Sequence, residues 1–97
     1  MRKPFIAGNW KMNTISDSAL ALAEGISAGA ADYADKIDMA VIPPFVYIQQ
    51  VAQKLTGSPV KVGAQDLYTE SSGAYTGEIS TAMLRDTGCT YALCGHS

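Results

Sequence analysis

The sequence predicts an α/β fold built on a parallel sheet, and two observations lead to this prediction. Short apolar runs alternate along the chain with stretches in which apolar residues recur at helical spacing. Consecutive strands that are joined through a helix pair in parallel. The chain of 97 residues is 47% hydrophobic and 16% charged, which is a composition typical of one globular domain.

The first strand and the first helix lie in the N-terminal third. The run Pro4–Gly8 is apolar at successive positions, as in a strand that is buried on both faces. Ser16 and Asp17 are suitable N-cap residues for the helix that follows. The apolar stripe of that helix is Ala19, Leu22, Ile26 and Ala30.

The second strand–helix unit occupies the middle of the chain. A second apolar run covers residues 37–42, and Pro43 and Pro44 end it. The next helix is closed by Gly57. Its apolar stripe is Ile48, Val51 and Leu55.

The last part of the chain contains a third strand at residues 60–64 and a long polar loop at residues 66–78. Ser80 is the expected N-cap of a third helix, and Gly88 is placed to stop it. Residues 90–94 form the fourth predicted strand.

The alternating order of strands and helices fits either an open doubly wound sheet or part of a (β/α)₈ barrel, and periodicity does not choose between them. The turn after the first strand, NWKMN, has no glycine-rich loop for a nucleotide phosphate.

Polar residues follow three of the predicted strands, at the sheet edge where parallel α/β folds carry their chemistry. They are Asn9 and Lys11 after the first strand, Gln65 after the third, and His96 and Ser97 after the fourth. A fixed positive charge, amides and an imidazole suit an anionic substrate whose oxygens exchange protons. Spacing alone leaves the alternatives of a surface lysine, a structural histidine and a strand-capping glutamine open.

Composition and spacing exclude several other classes of protein. The net charge is −2 and no cluster of Lys and Arg occurs, which disfavours a nucleic-acid partner. The apolar run near the N-terminus is too short for a signal peptide, and no run is long enough for a membrane helix. We therefore expect a cytoplasmic protein with reduced thiols. Cys89, Cys94 and His96 match no common zinc spacing, so no metal site is predicted.

Four segments of the sequence, FIAGNWKMN, GAQDLY, SGAYTGEIS and GHS, resemble the triosephosphate isomerase family in order and spacing. The resemblance covers residues 5–97. It implies an α/β fold that is the N-terminal part, about four βα units, of a (β/α)₈ TIM barrel. Residues 1–97 would then be the N-terminal part of a single domain, truncated after the fourth strand.

The resemblance also implies an activity and roles for residues. The family interconverts dihydroxyacetone phosphate and D-glyceraldehyde 3-phosphate through an enediolate, in glycolysis and gluconeogenesis, without a cofactor or metal. By this resemblance Lys11 and His96 are catalytic, and Asn9 and Lys11 bind the substrate. Gln65 and Ser97 support them. The imidazole acts in its neutral form.

The family is homodimeric, and the long loop matches the segment that reaches the second subunit. Tyr75, Thr76 and Glu78 are therefore expected at a dimer interface. The glutamate base, the lid loop and the phosphate-binding loops of the family match nothing in these residues. We expect the isolated chain to be inactive for this reason. The alternative is a non-catalytic half barrel that self-associates or binds a phosphorylated metabolite.

Overall fold

The computed structural model describes residues 3–93. Strands and helices alternate along this part of the chain, as predicted. The strands are β1 (Phe5–Asn9), β2 (Asp38–Ile42), β3 (Val60–Ala64) and β4 (Tyr91–Ala92). The helices are α1 (Ser16–Ala30), α2 (Ile48–Lys54) and α3 (Thr81–Asp86), and short 3₁₀ turns lie at Ala31–Tyr33 and Phe45–Tyr47.

The strands form one parallel sheet in the order β1-β2-β3-β4. Ala7 on β1 lies opposite Ala40 on β2, and Gly63 on β3 lies opposite Tyr91 on β4. An open doubly wound sheet reverses its strand order at a switch point, whereas a barrel adds its strands sequentially. The observed order is therefore that of the first four units of a (β/α)₈ barrel, curled into a half barrel. The fold class expected from the sequence is confirmed.

The core lies between the sheet and helices α1 and α2. Alanines of α1 pack in this core together with β-branched residues of α2 and of the strands. Its deeply buried members include Ala19, Ala23, Val41, Ile48, Val51, Val60 and Val62. Burial of such side chains contributes about 1.5–3 kcal/mol for each Val or Ile, relative to leaving it exposed.

The prediction that the first strand is buried on both faces is wrong within this chain. Phe5 is 49% exposed and Ile6 is 55% exposed. The reason is that β1 is an edge strand, which pairs only with β2 among the described residues. Leu22, expected in the core stripe of α1, is 42% exposed, and Ala23 takes the buried position instead.

Two helix starts test the capping predictions. The N-cap of α1 is Ile15 rather than Ser16 or Asp17, and the Ile15 N–H donates to Ser18 Oγ at 2.9 Å. The Ser16 hydroxyl instead donates to Gln50 Oε1 at 3.1 Å and so joins α1 to α2. Ser80 is confirmed as the N-cap of α3, because its Oγ accepts the Met83 N–H at 3.2 Å.

Candidate functional site

Asn9 and Lys11 lie where β1 leaves the sheet. Asn9 is the last residue of β1, and the Trp10 N–H still donates to the Ile42 carbonyl of β2 at 3.0 Å. Trp10 is buried in the core cluster and fixes the start of the turn. Asn9 and Lys11 are exposed on either side of it. Lys11 has a φ of 55°, so the chain turns away from the strand at this residue.

Side-chain amides hold the turn around Lys11. The Lys11 N–H donates to Asn9 Oδ1 at 2.9 Å. Asn13 Nδ2 donates to the Trp10 carbonyl at 2.7 Å. Asn9 Oδ1 is therefore used within the turn, whereas Asn9 Nδ2 has no hydrogen-bond partner among the described residues.

Gln65 connects this turn to the neighbouring strands. It follows β3 directly, and its Nε2 donates to the Lys11 carbonyl at 2.7 Å and to the Ile42 carbonyl at 3.2 Å. One side chain thus joins the carboxyl ends of β1, β2 and β3. The structure brings Asn9, Lys11 and Gln65 together, while their roles toward a substrate stay predictions.

Two of the predicted site residues, His96 and Ser97, lie outside the described residues, as does Cys94. The described part of the fourth strand ends at Ala92, followed by Leu93, whose N–H donates to the Ala64 carbonyl at 2.9 Å. The roles of His96 and Ser97 therefore stay predictions from the sequence.

The long loop after β3 folds back on itself. The Tyr68 N–H donates to the Ile79 carbonyl at 2.7 Å and closes its base. The rings of Tyr68 and Tyr75 lie 4.7 Å apart, and the Glu78 N–H donates to the Tyr75 carbonyl at 3.0 Å. Tyr75, Thr76 and Glu78 are all exposed on this loop. Their place in a dimer interface stays a prediction.

A pocket of about 150 Å³ opens beside Gln65, between the end of β3 and the long loop. Its polar lining includes Gln65, Asp66 and Glu78, and the remainder is mostly apolar. Asn9 and Lys11 do not line it. Lys11 and Asn9 carry groups that suit an anion, an ammonium and an amide. They lie at the carboxyl end of β1 rather than in this pocket.

Residues 3–93 contain no group of three or more His, Cys, Asp or Glu side chains placed to bind a metal ion. Among them there is also no helix with the length and apolar character required to cross a membrane.

The sequence did not point to the structural role of Asn13 or to the conformation of Thr14. Asn is favoured in turns because its side-chain amide forms hydrogen bonds with the nearby backbone. This preference could have indicated a turn at Asn13. Thr14 has a φ of 85°, which is unusual for a β-branched residue, and no sequence pattern marks it. Its buried hydroxyl has no hydrogen-bond partner among the described residues.

The comparisons with known proteins agree on one family. A family model described as triosephosphate isomerase matches residues 4–97. The chain is 45% identical over 97 residues to the triosephosphate isomerase of Endomicrobium trichonymphae and 47% identical over 97 residues to that of Roseiflexus sp. (strain RS-1). It is 50% identical over 99 residues to the triosephosphate isomerase of Mycolicibacterium vanbaalenii.

These alignments cover 100%, 100% and 99% of this chain, and 38% of each relative. The chain thus spans 38% of the length of these curated relatives. The family match extends over nearly all of its residues, including the turn at Lys11, the strand end at Gln65 and the long loop. On this evidence the chain belongs to the triosephosphate isomerase family.

Proposed function

We propose that residues 1–97 are the N-terminal part of a single TIM-barrel domain with triosephosphate isomerase activity. The reaction interconverts dihydroxyacetone phosphate and D-glyceraldehyde 3-phosphate, in glycolysis and gluconeogenesis. The observation that carries the proposal is the Gln65 amide, which joins the turn of Asn9 and Lys11 to the carboxyl ends of β2 and β3. Barrel enzymes bind their substrates at the carboxyl ends of the strands.

Lys11 and Asn9 act on the substrate anion in this proposal. The Lys11 ammonium pairs with negatively charged substrate oxygens and stabilises the charge that develops in the enediolate. Asn9 Nδ2 donates to the same anion, because Asn9 Oδ1 is already occupied by the Lys11 N–H at 2.9 Å. Both side chains are exposed at the strand end, so a substrate can reach them from solvent.

His96 is the proposed proton carrier between the two substrate oxygens. A neutral imidazole can donate a proton to one oxygen and accept one from the neighbouring oxygen. Ser97, next to it in the chain, is proposed to support the imidazole. Gln65 supports Lys11 through its hydrogen bond to the Lys11 carbonyl.

Removal of the carbon-bound proton requires a carboxylate base. Asp66 and Glu78 line the pocket beside Gln65 rather than the turn at Lys11, and the Asp66 carboxylate accepts the Leu67 N–H at 2.9 Å. We therefore assign the base to a part of the barrel other than residues 1–97. By themselves, these residues should bind substrate weakly and not turn it over.

The native enzyme is proposed to be a cytoplasmic homodimer. Tyr75, Thr76 and Glu78 would contact the second subunit. Support comes from the closed base of the long loop and the packing of Tyr75 on Tyr68, which present these residues on a defined surface.

The test uses the native polypeptide that carries these residues. Its intact mass and its isomerase activity on D-glyceraldehyde 3-phosphate are measured together. We expect a chain of about 250 residues and an active enzyme. Lys11→Met should lower kcat/KM by roughly 100- to 1,000-fold, the usual loss for one charge-stabilising donor. Lys36→Met is the matched control, because Lys36 is an exposed lysine that lies before the amino end of β2, away from the carboxyl ends of the strands.

The outcomes separate the two candidate functions. An active polypeptide in which Lys11→Met is harmless would overturn the assignment of Lys11. A native polypeptide with only these 97 residues and no isomerase activity would overturn catalysis. The non-catalytic half barrel would then stand, favoured by the exposed edge residues Phe5 and Ile6, and sedimentation would show whether it self-associates.

A further inference from the structure

The backbone of Lys11 lies in a region that residues with a side chain usually avoid. Its φ of 55° is left-handed, a conformation that costs an L-residue roughly 1–2 kcal/mol. Glycine would adopt it without this penalty, yet the position carries the longest of the site's side chains. Other contacts must therefore hold the conformation in place.

Three side-chain amides fix the two peptide units that meet at Lys11. The unit before it is held at both ends, because its N–H donates to Asn9 Oδ1 at 2.9 Å and its carbonyl accepts Asn13 Nδ2 at 2.7 Å. The unit after it is held at its carbonyl, which accepts Gln65 Nε2 at 2.7 Å. Since φ and ψ describe how these two units are rotated about the Lys11 Cα, the three amides together determine both torsions.

The direction of the Lys11 side chain depends on these torsions. If φ relaxed to the ordinary value of about −60°, the Cα–Cβ bond would turn through more than roughly 100° about the N–Cα bond. The side chain would then leave the backbone of Lys11 in a different direction and carry the ammonium with it. The same hydrogen bonds that hold the backbone therefore aim the charge.

We propose that Asn13 and Gln65 are positioning residues, which keep Lys11 left-handed and so direct its ammonium to the substrate anion. This inference rests on the proposed isomerase function. Asn13 is the cleaner of the two, because its bond lies within the turn, whereas Gln65 also bonds Ile42 and so joins strands. Neither residue is proposed to touch the substrate.

The experiment introduces Asn13→Ala and Gln65→Leu into the native polypeptide, each with and without Lys11→Met. Both changes remove an amide donor without adding charge. Gln53→Leu is the matched control for Gln65→Leu, because Gln53 is exposed on α2. Two quantities are measured for each protein. One is kcat/KM. The other is the nuclear Overhauser cross-peak between the amide and α protons of Lys11, which is strong only when φ is left-handed.

We expect Asn13→Ala to lower kcat/KM about 10- to 100-fold, mainly through KM, and to weaken the Lys11 cross-peak. In the Lys11→Met background the same change should cost nothing further, because the group that it positions is gone. Gln65→Leu should behave alike, with an added loss of stability. Gln53→Leu should change neither readout.

The inference is overturned if Asn13→Ala and Gln65→Leu leave the Lys11 cross-peak strong and kcat/KM unchanged. It is also overturned if their effects on kcat/KM persist in full without the Lys11 ammonium. If the parent polypeptide proves inactive, the proposed function fails, and the cross-peak alone still decides whether these two amides hold Lys11.

Discussion

The rings of Phe5 on β1 and Tyr91 on β4 lie 4.8 Å apart, with 55° between their planes. These residues belong to the two opposite edges of the sheet. Neighbouring strands lie about 4.8 Å apart, so the backbones of the first and fourth strands of a flat sheet would be separated by roughly 14 Å. Contact between the rings requires a sheet that curls until its edge side chains meet across the concave face.

This contact should stabilise the curled sheet. In a double-mutant cycle, Phe5→Ala and Tyr91→Ala should show a coupling of about 1 kcal/mol, as is usual for tilted aromatic pairs. Urea denaturation of the four proteins measures it. Phe45→Ala with Tyr91→Ala is the control cycle, because Phe45 is similarly exposed at 43% but lies beside the pocket at the end of β3. Equal coupling in both cycles would contradict a specific Phe5–Tyr91 interaction.

The fold was predictable where its signals are local. The apolar run at residues 60–64 and the Ser80 cap were both recognised, since each depends on a few adjacent residues. Burial of β1 was not predicted correctly, because it depends on which strands lie beside it. Phe5 and Ile6 have the sequence pattern of buried strand residues, but only β2 covers that strand in the described part of the chain.

The site was predictable only in part, for a similar reason. Parallel strands bring their carboxyl ends together, so Asn9, Lys11 and Gln65 could be grouped from the sequence alone. The left-handed turn at Lys11 could not be foreseen, because the usual signal for such a turn is glycine. It depends instead on amides of Asn13 and Gln65, and the Gln65 bond spans 54 residues of sequence.

Thr14→Gly should stabilise the protein. Thr14 has a φ of 85°, and its buried hydroxyl has no hydrogen-bond partner among the described residues. Glycine removes both the steric strain and the unsatisfied hydroxyl. The greater entropy of glycine in the unfolded chain offsets part of this gain. We expect a net increase of about 1 kcal/mol in the free energy of unfolding, measured by urea denaturation.

Thr69→Gly is the control for this substitution. Thr69 is exposed in the long loop and is not among the described residues with positive φ, so only the entropic term applies. It should lower stability by roughly 0.5–1 kcal/mol. A loss of stability in Thr14→Gly that matches Thr69→Gly would show that the turn at Thr14 stores no strain.

Gly73→Ala should disturb the long loop. Gly73 has a φ of 135°, and a Cβ there would lie 2.8 Å from the Tyr75 ring. The ring must move, which disturbs its packing on Tyr68, and the backbone is strained as well, so we expect a loss of roughly 1–3 kcal/mol in loop or global stability. The loss of the Tyr68–Tyr75 ring-current shifts in the proton NMR spectrum checks the local effect.

Gly29→Ala provides the matched substitution in a helix. Gly29 lies in α1, and a Cβ there meets nothing within 4 Å. Alanine is favoured over glycine in a helix by about 1 kcal/mol, so this change should stabilise the protein. If Gly73→Ala were equally stabilising, the loop would not hold Gly73 in its glycine-specific conformation.

Cys89 should make stability fall at alkaline pH. The thiol packs against the core cluster, and burial raises its pKa above the ordinary value of 9.0, while a hydrogen bond with the Thr87 side chain opposes this in part. The neutral thiol is therefore favoured more strongly in the folded state than in the unfolded state. Its stabilising contribution is complete below the unfolded pKa and is lost as the pH rises through the folded pKa.

The measurement compares the parent protein with Cys89→Ala by urea denaturation between pH 7 and pH 11. Lysines, tyrosines and Cys94 are common to both proteins, so their titration largely cancels in the difference between the two free energies. The free energy of unfolding of the parent minus that of Cys89→Ala should be constant up to about pH 8. It should then decrease by at most about 1.4 kcal/mol for each pH unit. Parallel curves over the whole range would show that the Cys89 thiol titrates alike in the folded and unfolded chains, and that its burial does not oppose ionisation.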